Sequence, residues 1–147
     1  MTKQKILSFT DLDAWKQAHQ LVLAIYSITK QFPKEEIYAL SNQMQRAALS
    51  ISSNLAEGFS RQTKKEKQQF YFMSKGSLTE IQNQLSVARD LGYIPNNIFQ
   101  DVGKQTVIVH KLLNGLLKTS TTHTKYKIQN TKYKILTYGI KKNFYCK

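Results

Sequence analysis

The sequence is poor in the residues that build disulfides, metal sites and membrane spans. Its single cysteine, Cys146, stands next to the C-terminal residue, with no histidine or second cysteine at metal-ligand spacing. No apolar run approaches the roughly 18 residues that cross a bilayer, and residues 1–10 contain no apolar stretch of signal-peptide length. We therefore expect a cytoplasmic protein with no metal, cofactor or membrane partner.

Sequence motifs of catalysis are missing as well. There is no Gly-rich phosphate loop, no nucleophile elbow and no paired Glu-x-x-His motif. Glu57 and Glu80 would be the candidates for an acid/base pair, but no pattern places them at a shared cleft. The sequence therefore favours a protein that is not an enzyme.

Acidic residues are scarce, and they are unevenly distributed along the chain. Nine Asp and Glu face 22 Lys and Arg, for a net charge of +13. All nine acids and 15 of the cations lie in residues 1–118, a net of +6, whereas residues 119–147 hold seven lysines and no acid, a net of +7. This balance favours polyanionic partners, with nucleic acid first. The alternative is that the charge serves only solubility.

Apolar spacing predicts four helices in series, over about residues 11–31, 34–58, 64–91 and 96–118. Thr10 is the expected N-cap of the first helix, and Thr63 with Glu66 has the form of a capping box at the start of the third. Helices joined by short connections pack antiparallel. We predict an all-α, antiparallel up-down-up-down four-helix bundle over residues 9–118.

The core faces follow from spacings of three and four residues. We expect Ile37 on the core face of the second helix, and Phe70, Met73 and Leu91 on that of the third. The predicted core of the fourth helix consists of Ile98, Val102, Val109, Leu112, Leu113 and Leu116. Apolar residues on the first helix cover an arc wider than two neighbours require, which suggests a second buried surface. The predicted subunit contacts are Trp15, Val22, Tyr26 and Phe72.

Residues 119–147 have a different composition and form a predicted basic, mostly disordered tail. The segment TKYKI occurs at residues 124–128 and again at 131–135. Two copies are too few for a repeat fold. The tail is either a basic arm whose tyrosines stack on bases or an extension without a role of its own.

Six blocks of residues resemble one protein family in order and spacing. They are residues 11–15 (DLDAW), 32–36 (FPKEE), 45–48 (QRAA), 53–59 (SNLAEGF), 76–80 (GSLTE) and 91–94 (LGYI). The family consists of four-helix bundle proteins encoded in intervening sequences of bacterial 23S ribosomal RNA genes. It is related to the accessory variability protein of diversity-generating retroelements.

The resemblance implies a bundle that assembles into a ring, typically a homopentamer, with a basic surface. The retroelement relatives are thought to bind nucleic acid and a reverse transcriptase. Ser52 stands where many members have proline, which leaves the second helix less kinked. The tail has no counterpart in the family, so the resemblance implies nothing about it.

Four cations around Thr63 form the predicted phosphate site, because they surround a helix N-terminus, which itself attracts anions. They are Arg61, Lys64, Lys65 and Lys67. Arg46 belongs to a family-like block and is added to this set. An interaction of Arg46 with Glu57 would need another helix or subunit, since the two are three turns apart. The alternative is that these side chains are simply solvated.

Two functions therefore remain open from the sequence. The first is an oligomer that binds RNA or DNA through phosphate contacts. The second is an assembly or adaptor protein whose main partner is another protein. Salt dependence separates them, because phosphate binding weakens steeply as salt rises.

Overall fold

The structure is a computed structural model, and it describes residues 5–120, with the side chain of Ser120 left aside. Four helices follow one another: α1 (Asp13–Thr29), α2 (Leu40–Ser60), α3 (Lys64–Asp90) and α4 (Asn96–Ser120). Short 3-10 helices, Phe9–Asp11 and Lys34–Glu36, precede α1 and α2. The described residues contain no strand, which confirms the predicted all-α class. The predicted tail lies outside the described residues, apart from its first two positions.

The helices form an up-down-up-down bundle. Helix α1 packs against α2 and α4, α2 against α3, and α3 against α4. Contacting residues run in opposite numerical directions, as antiparallel helices require: Tyr71 with Gly58 and Ser74 with Ile51, then Lys75 with Asn114 and Gln82 with Thr106. The predicted topology is therefore confirmed. It places the end of α2, the start of α3 and the end of α4 at one end of the bundle.

The core lies along the shared axis of the four helices. Leu21, Ile51, Leu78 and Leu113 are fully buried, one from each helix. Burial of such side chains contributes about 1.5–3 kcal/mol each. The largest fully buried residue is Phe99, which the predicted core of α4 omitted.

The predicted core face of α3 is wrong at its two ends. Met73 is 50% exposed and Leu91 is 55% exposed. Beside Met73, the residues Tyr71 and Ser74 are buried instead. Tyr71 packs against Gly58 of α2, and the Ser74 hydroxyl donates to the Ile51 carbonyl oxygen at 2.9 Å. The polar residue takes a core position because this hydrogen bond satisfies it.

The starts of α1 and α2 also differ from the prediction. Thr10 does not cap α1, since α1 follows Leu12, which makes no side-chain capping hydrogen bond. Ser8 caps the 3-10 helix before α1: its hydroxyl accepts the Thr10 N–H, and the Asp11 carboxylate accepts the backbone N–H of Ser8. Helix α2 begins at Leu40, so Ile37 lies before it and is 52% exposed. In this connection the side chain of Glu36 accepts the Leu40 N–H at 3.1 Å and thereby caps α2.

Candidate nucleic-acid interface

A close contact between α2 and α3 shapes the corner where the predicted phosphate site lies. Gly58 is buried against the ring of Tyr71, and a Cβ built there would stand 2.8 Å from Tyr71 Cε1 and 2.9 Å from Phe70 Cβ. Only glycine allows α3 to approach this closely. The chain then reverses over Arg61–Thr63 and begins α3 at Lys64.

Arg61 is held in this corner by two contacts. Its guanidinium forms an ion pair with the Glu57 carboxylate and lies 4.6 Å from the centroid of the Phe70 ring. Glu57 thus binds a cation four residues away on its own chain, so the structure does not bring it to Arg46. Arg61 contributes to the corner itself, and its charge is largely balanced locally.

Lys67 has a structural contact of its own. Its ammonium group donates to the carbonyl oxygens of Phe59 and Gly58, at the C-terminal end of α2, and lies 5.4 Å from the centroid of the Phe59 ring. A cation at this position complements the negative pole of α2. Lys67 therefore joins the end of α2 to the start of α3.

The N-terminus of α3 carries the predicted capping box. The Thr63 hydroxyl accepts the Glu66 N–H at 3.2 Å, and the Glu66 carboxylate accepts the Thr63 N–H at 3.1 Å. Two hydrogen bonds lower the pKa of the Glu66 carboxyl. The bond from the Thr63 hydroxyl has the largest effect, and the bond from the Thr63 backbone N–H has the second largest. The positive pole of α3 thus already has a carboxylate beside it. The predicted phosphate site would therefore depend on lysine side chains rather than on backbone N–H groups.

Lys64 and Lys65 point outward from the first turn of α3, and both are exposed. Arg46 is exposed too, but it precedes Arg61 by fifteen residues of α2, about 22 Å along the axis. The structure therefore brings together four of the five predicted cations and leaves Arg46 apart.

The wider charge distribution separates the two ends of the bundle. We define the basic end as residues 5–21, 51–76 and 113–120, and the neutral end as residues 22–50 and 77–112. The basic end holds eight Lys and Arg against four Asp and Glu, and the neutral end holds six against five. The chain leaves α4 at the basic end, where the lysine-rich residues 121–147 are attached.

Residues of α4 that the sequence analysis did not single out contribute to the basic end. Lys118 is exposed near the end of α4. Between α3 and α4, Lys75 donates to the Asn114 side-chain oxygen at 2.9 Å, and burial lowers the pKa of its ammonium group. Burial, and then the charge of Lys75, lowers the pKa of His110. These groups are far apart in sequence, and only antiparallel packing brings their parts of α3 and α4 together.

Comparison with protein families gives a match over residues 10–115, which spans α1 and α2, α3 and nearly all of α4. The matching description is "23S rRNA-intervening sequence protein". The chain belongs to this family. The predicted family is thereby confirmed. A comparison with curated proteins gave no match.

The predicted subunit contacts of this family member differ in exposure. Val22 is 7% exposed and belongs to the core of a single chain, which leaves it little surface for a partner. Trp15 is half-buried, stacked on His19 with ring centroids 4.9 Å apart, and Tyr26 packs partly buried against the core. Phe72 is 51% exposed. The assignment of these residues to a subunit contact stays a prediction.

Across residues 5–120, no three His, Cys, Asp or Glu side chains lie close enough together to hold a metal ion. None of the described helices is both long and apolar enough to cross a membrane.

Proposed function

We propose that this chain is a non-catalytic RNA-binding protein that holds the phosphates of its ligand at the basic end of the bundle. One observation supports this most strongly: the excess of cations at that end, eight against four carboxylates, compared with six against five at the other. Such a one-sided field attracts a polyanion to one surface of the molecule.

The lysines with outward side chains are the proposed phosphate contacts. Lys64 and Lys65 are exposed, and a lysine ammonium group binds phosphate as a point charge without demanding a base sequence. Arg61 and Lys67 have the supporting role of fixing the α2–α3 corner. The family description refers to 23S ribosomal RNA, which favours RNA over DNA as the ligand.

Self-association belongs to the same proposal, since a ring of subunits would repeat the basic end and add avidity along one RNA strand. The resemblance implies five subunits. Light scattering on the purified protein should give a mass several times 17.0 kDa.

The second candidate function is that of an assembly or adaptor protein. Exposed apolar side chains favour it: Leu23 is 51% exposed and Leu49 is 42% exposed.

A pair of double variants tests the RNA proposal. Lys64→Ala with Lys65→Ala removes two charges from the basic end, and Lys30→Ala with Lys34→Ala removes two exposed charges from the neutral end. Affinity for a short single-stranded RNA of mixed sequence is measured over a range of salt concentrations. The first variant should bind more weakly, with a salt slope flatter by about 1 to 2, because each lost phosphate contact releases one counterion fewer. The second should match the wild-type protein.

Arg61 is left unchanged in this test because its loss would disturb the ion pair with Glu57. Equal loss of affinity in both double variants would contradict a localised site. RNA affinity that does not respond to salt would contradict phosphate binding altogether and favour the adaptor function.

A further inference from the structure

The outer face of α3 carries an exposed apolar depression within the basic end. Phe72, 51% exposed, and Met73, 50% exposed, line it together with Lys65, Gln68 and Gln69. The depression is shallow and open, and no carboxylate lines it. An exposed aromatic ring beside a cation and two amides is an unusual combination for a surface helix.

Helix geometry places these groups along one line. Lys65 precedes Phe72 by seven residues, which is two turns or about 10 Å. Side chains on a helix lean toward its N-terminus, so the Phe72 ring lies over the turn that carries Gln68 and Gln69. The ring, the amides and the ammonium group therefore follow one another toward the start of α3.

Gly76, the next residue along this line, is a second and independent observation. It lies inside α3, and a Cβ built there would meet nothing within 4 Å. Glycine weakens the interior of a helix, and no packing among residues 5–120 requires it at Gly76. The missing side chain leaves room for a molecule to approach the backbone of α3 beside Phe72.

We infer that Phe72 is a stacking platform for an unpaired base, and that the ligand of the basic end is single-stranded RNA. This inference rests on the proposed function and specifies its ligand. The face of the base lies on the Phe72 ring, the Gln68 and Gln69 amides donate to and accept from its edge, and Lys65 binds a backbone phosphate. Bases inside an A-form duplex are stacked on each other and present no face to a side chain.

Charge favours RNA over a second copy of this chain as the occupant. A second copy that placed its own basic end on the depression would bring like charges together at Lys65, which opposes that contact. A single strand of RNA supplies both the base that covers Phe72 and the phosphates that neutralise the lysines.

The test compares Phe72→Ala with Tyr38→Ala in the full-length protein. Tyr38 is 92% exposed at the neutral end, so its loss removes an even more accessible ring from a surface with little excess charge. The probes are a single-stranded RNA of mixed sequence and the same RNA paired with its complement. Phe72→Ala should lower affinity for the single strand by about 5- to 100-fold and leave affinity for the duplex unchanged. Tyr38→Ala should change neither, and Phe72→Trp should restore single-strand binding.

Gly76→Ala supplies a readout that does not depend on the ring. It should raise Tm by about 2–5 °C in the free protein yet lower affinity for the single strand by about 5-fold. Gly115→Ala on α4, where a Cβ also meets nothing within 4 Å, should raise Tm in the same way without loss of affinity.

The outcomes separate this inference from the proposed function. Wild-type protein that binds neither RNA contradicts both. Salt-dependent binding that is equal for single strand and duplex, and unaffected by Phe72→Ala, overturns this inference alone. An oligomer that dissociates in Phe72→Ala while single-strand affinity per subunit is unchanged also overturns it, and makes Phe72 a subunit contact.

Discussion

The two ends of this bundle treat charge in opposite ways. At the neutral end, Asp90 pairs with Arg89, and Asp101 with Lys104. Glu36 accepts the hydroxyl of Tyr93 at 3.0 Å. At the basic end Arg61 pairs with Glu57 and Lys16 with Asp13, and cations still outnumber carboxylates by eight to four. The neutral end therefore has nearly balanced charges, whereas the basic end has an excess of positive charge that attracts an anion.

The contrast also separates structural from functional polar groups. Tyr93 follows Gly92 (φ +76°) at the C-terminus of α3, and its N–H donates to the Ala88 carbonyl oxygen while its ring packs against Phe32. These contacts close the neutral end of the bundle. At the basic end, Lys67 and Gly58 hold the end of α2 against the start of α3, and the first turn of α3 stays exposed.

The largest expected effect comes from breaking the α2–α3 corner. Gly58→Ala puts a methyl group 2.8 Å from the Tyr71 ring, so α3 must shift, and we expect the free energy of unfolding to fall by about 1–3 kcal/mol. RNA affinity should fall as well, because a shift of α3 moves Lys64 and Lys65 in its first turn. Urea denaturation measures the stability. Gly76→Ala is the control, and it should stabilise by about 0.5–1 kcal/mol; loss of stability in both variants would contradict the assigned clash.

Deletion of residues 121–147 sharpens the comparison by removing seven lysines attached at the basic end. RNA affinity at low salt should fall by about tenfold or more, with a flatter salt slope. The free energy of unfolding should stay nearly unchanged, since the core lies within residues 12–117. Fluorescence anisotropy and thermal denaturation measure the two quantities. A large loss of stability would show that the deleted residues pack on the bundle.

Thr106→Val, at the neutral end, should lower the free energy of unfolding and leave RNA affinity unchanged. The Thr106 hydroxyl is fully buried, accepts from Gln82 at 3.2 Å and donates to the Gly103 carbonyl oxygen at 2.7 Å. Valine has a similar shape but leaves the Gln82 amide without this partner, at a cost of about 1–2 kcal/mol. RNA affinity, measured well below the melting temperature, should not change; a parallel loss would indicate that the two ends are coupled.

The smallest expected effect is a pH dependence from His110. Burial and Lys75 lower the pKa of its imidazole below the model-peptide value of 6.5, so the unfolded chain takes up a proton that the folded chain does not. The free energy of unfolding should therefore fall slightly as pH drops below about 6.5. His110→Gln should flatten this slope. Asp11, Glu66 and Asp90, whose pKa values are lowered by hydrogen bonds, act only at lower pH, where their unfolded forms take up protons.

The sequence predicted the helices and the capping box of α3 because both depend on residues close together in the chain. The start of α2 was misplaced because it depends on Glu36, whose carboxylate caps Leu40 and also binds Tyr93 from a distant segment. Likewise, Tyr71 displaces Met73 from the core only because Gly58 of α2 makes room for its ring.

The candidate site was predicted in part for the same reason. The cluster around Thr63 is contiguous, so its cations could be found by reading along the chain. The pairing of Arg61 with Glu57 and the capping role of Lys67 could have been suspected from their spacing to the end of α2. The contribution of Lys118 depends on the antiparallel order, which brings the end of α4 to the start of α3.

Lysine acetylation with and without bound RNA tests the central claim most directly, because mass spectrometry reports the protection of each lysine regardless of oligomeric state. The account predicts that single-stranded RNA protects Lys64 and Lys65 at the basic end, while Lys30 and Lys34 at the neutral end react as in the RNA-free protein. Equal protection at both ends, or protection confined to Lys30 and Lys34, would contradict it.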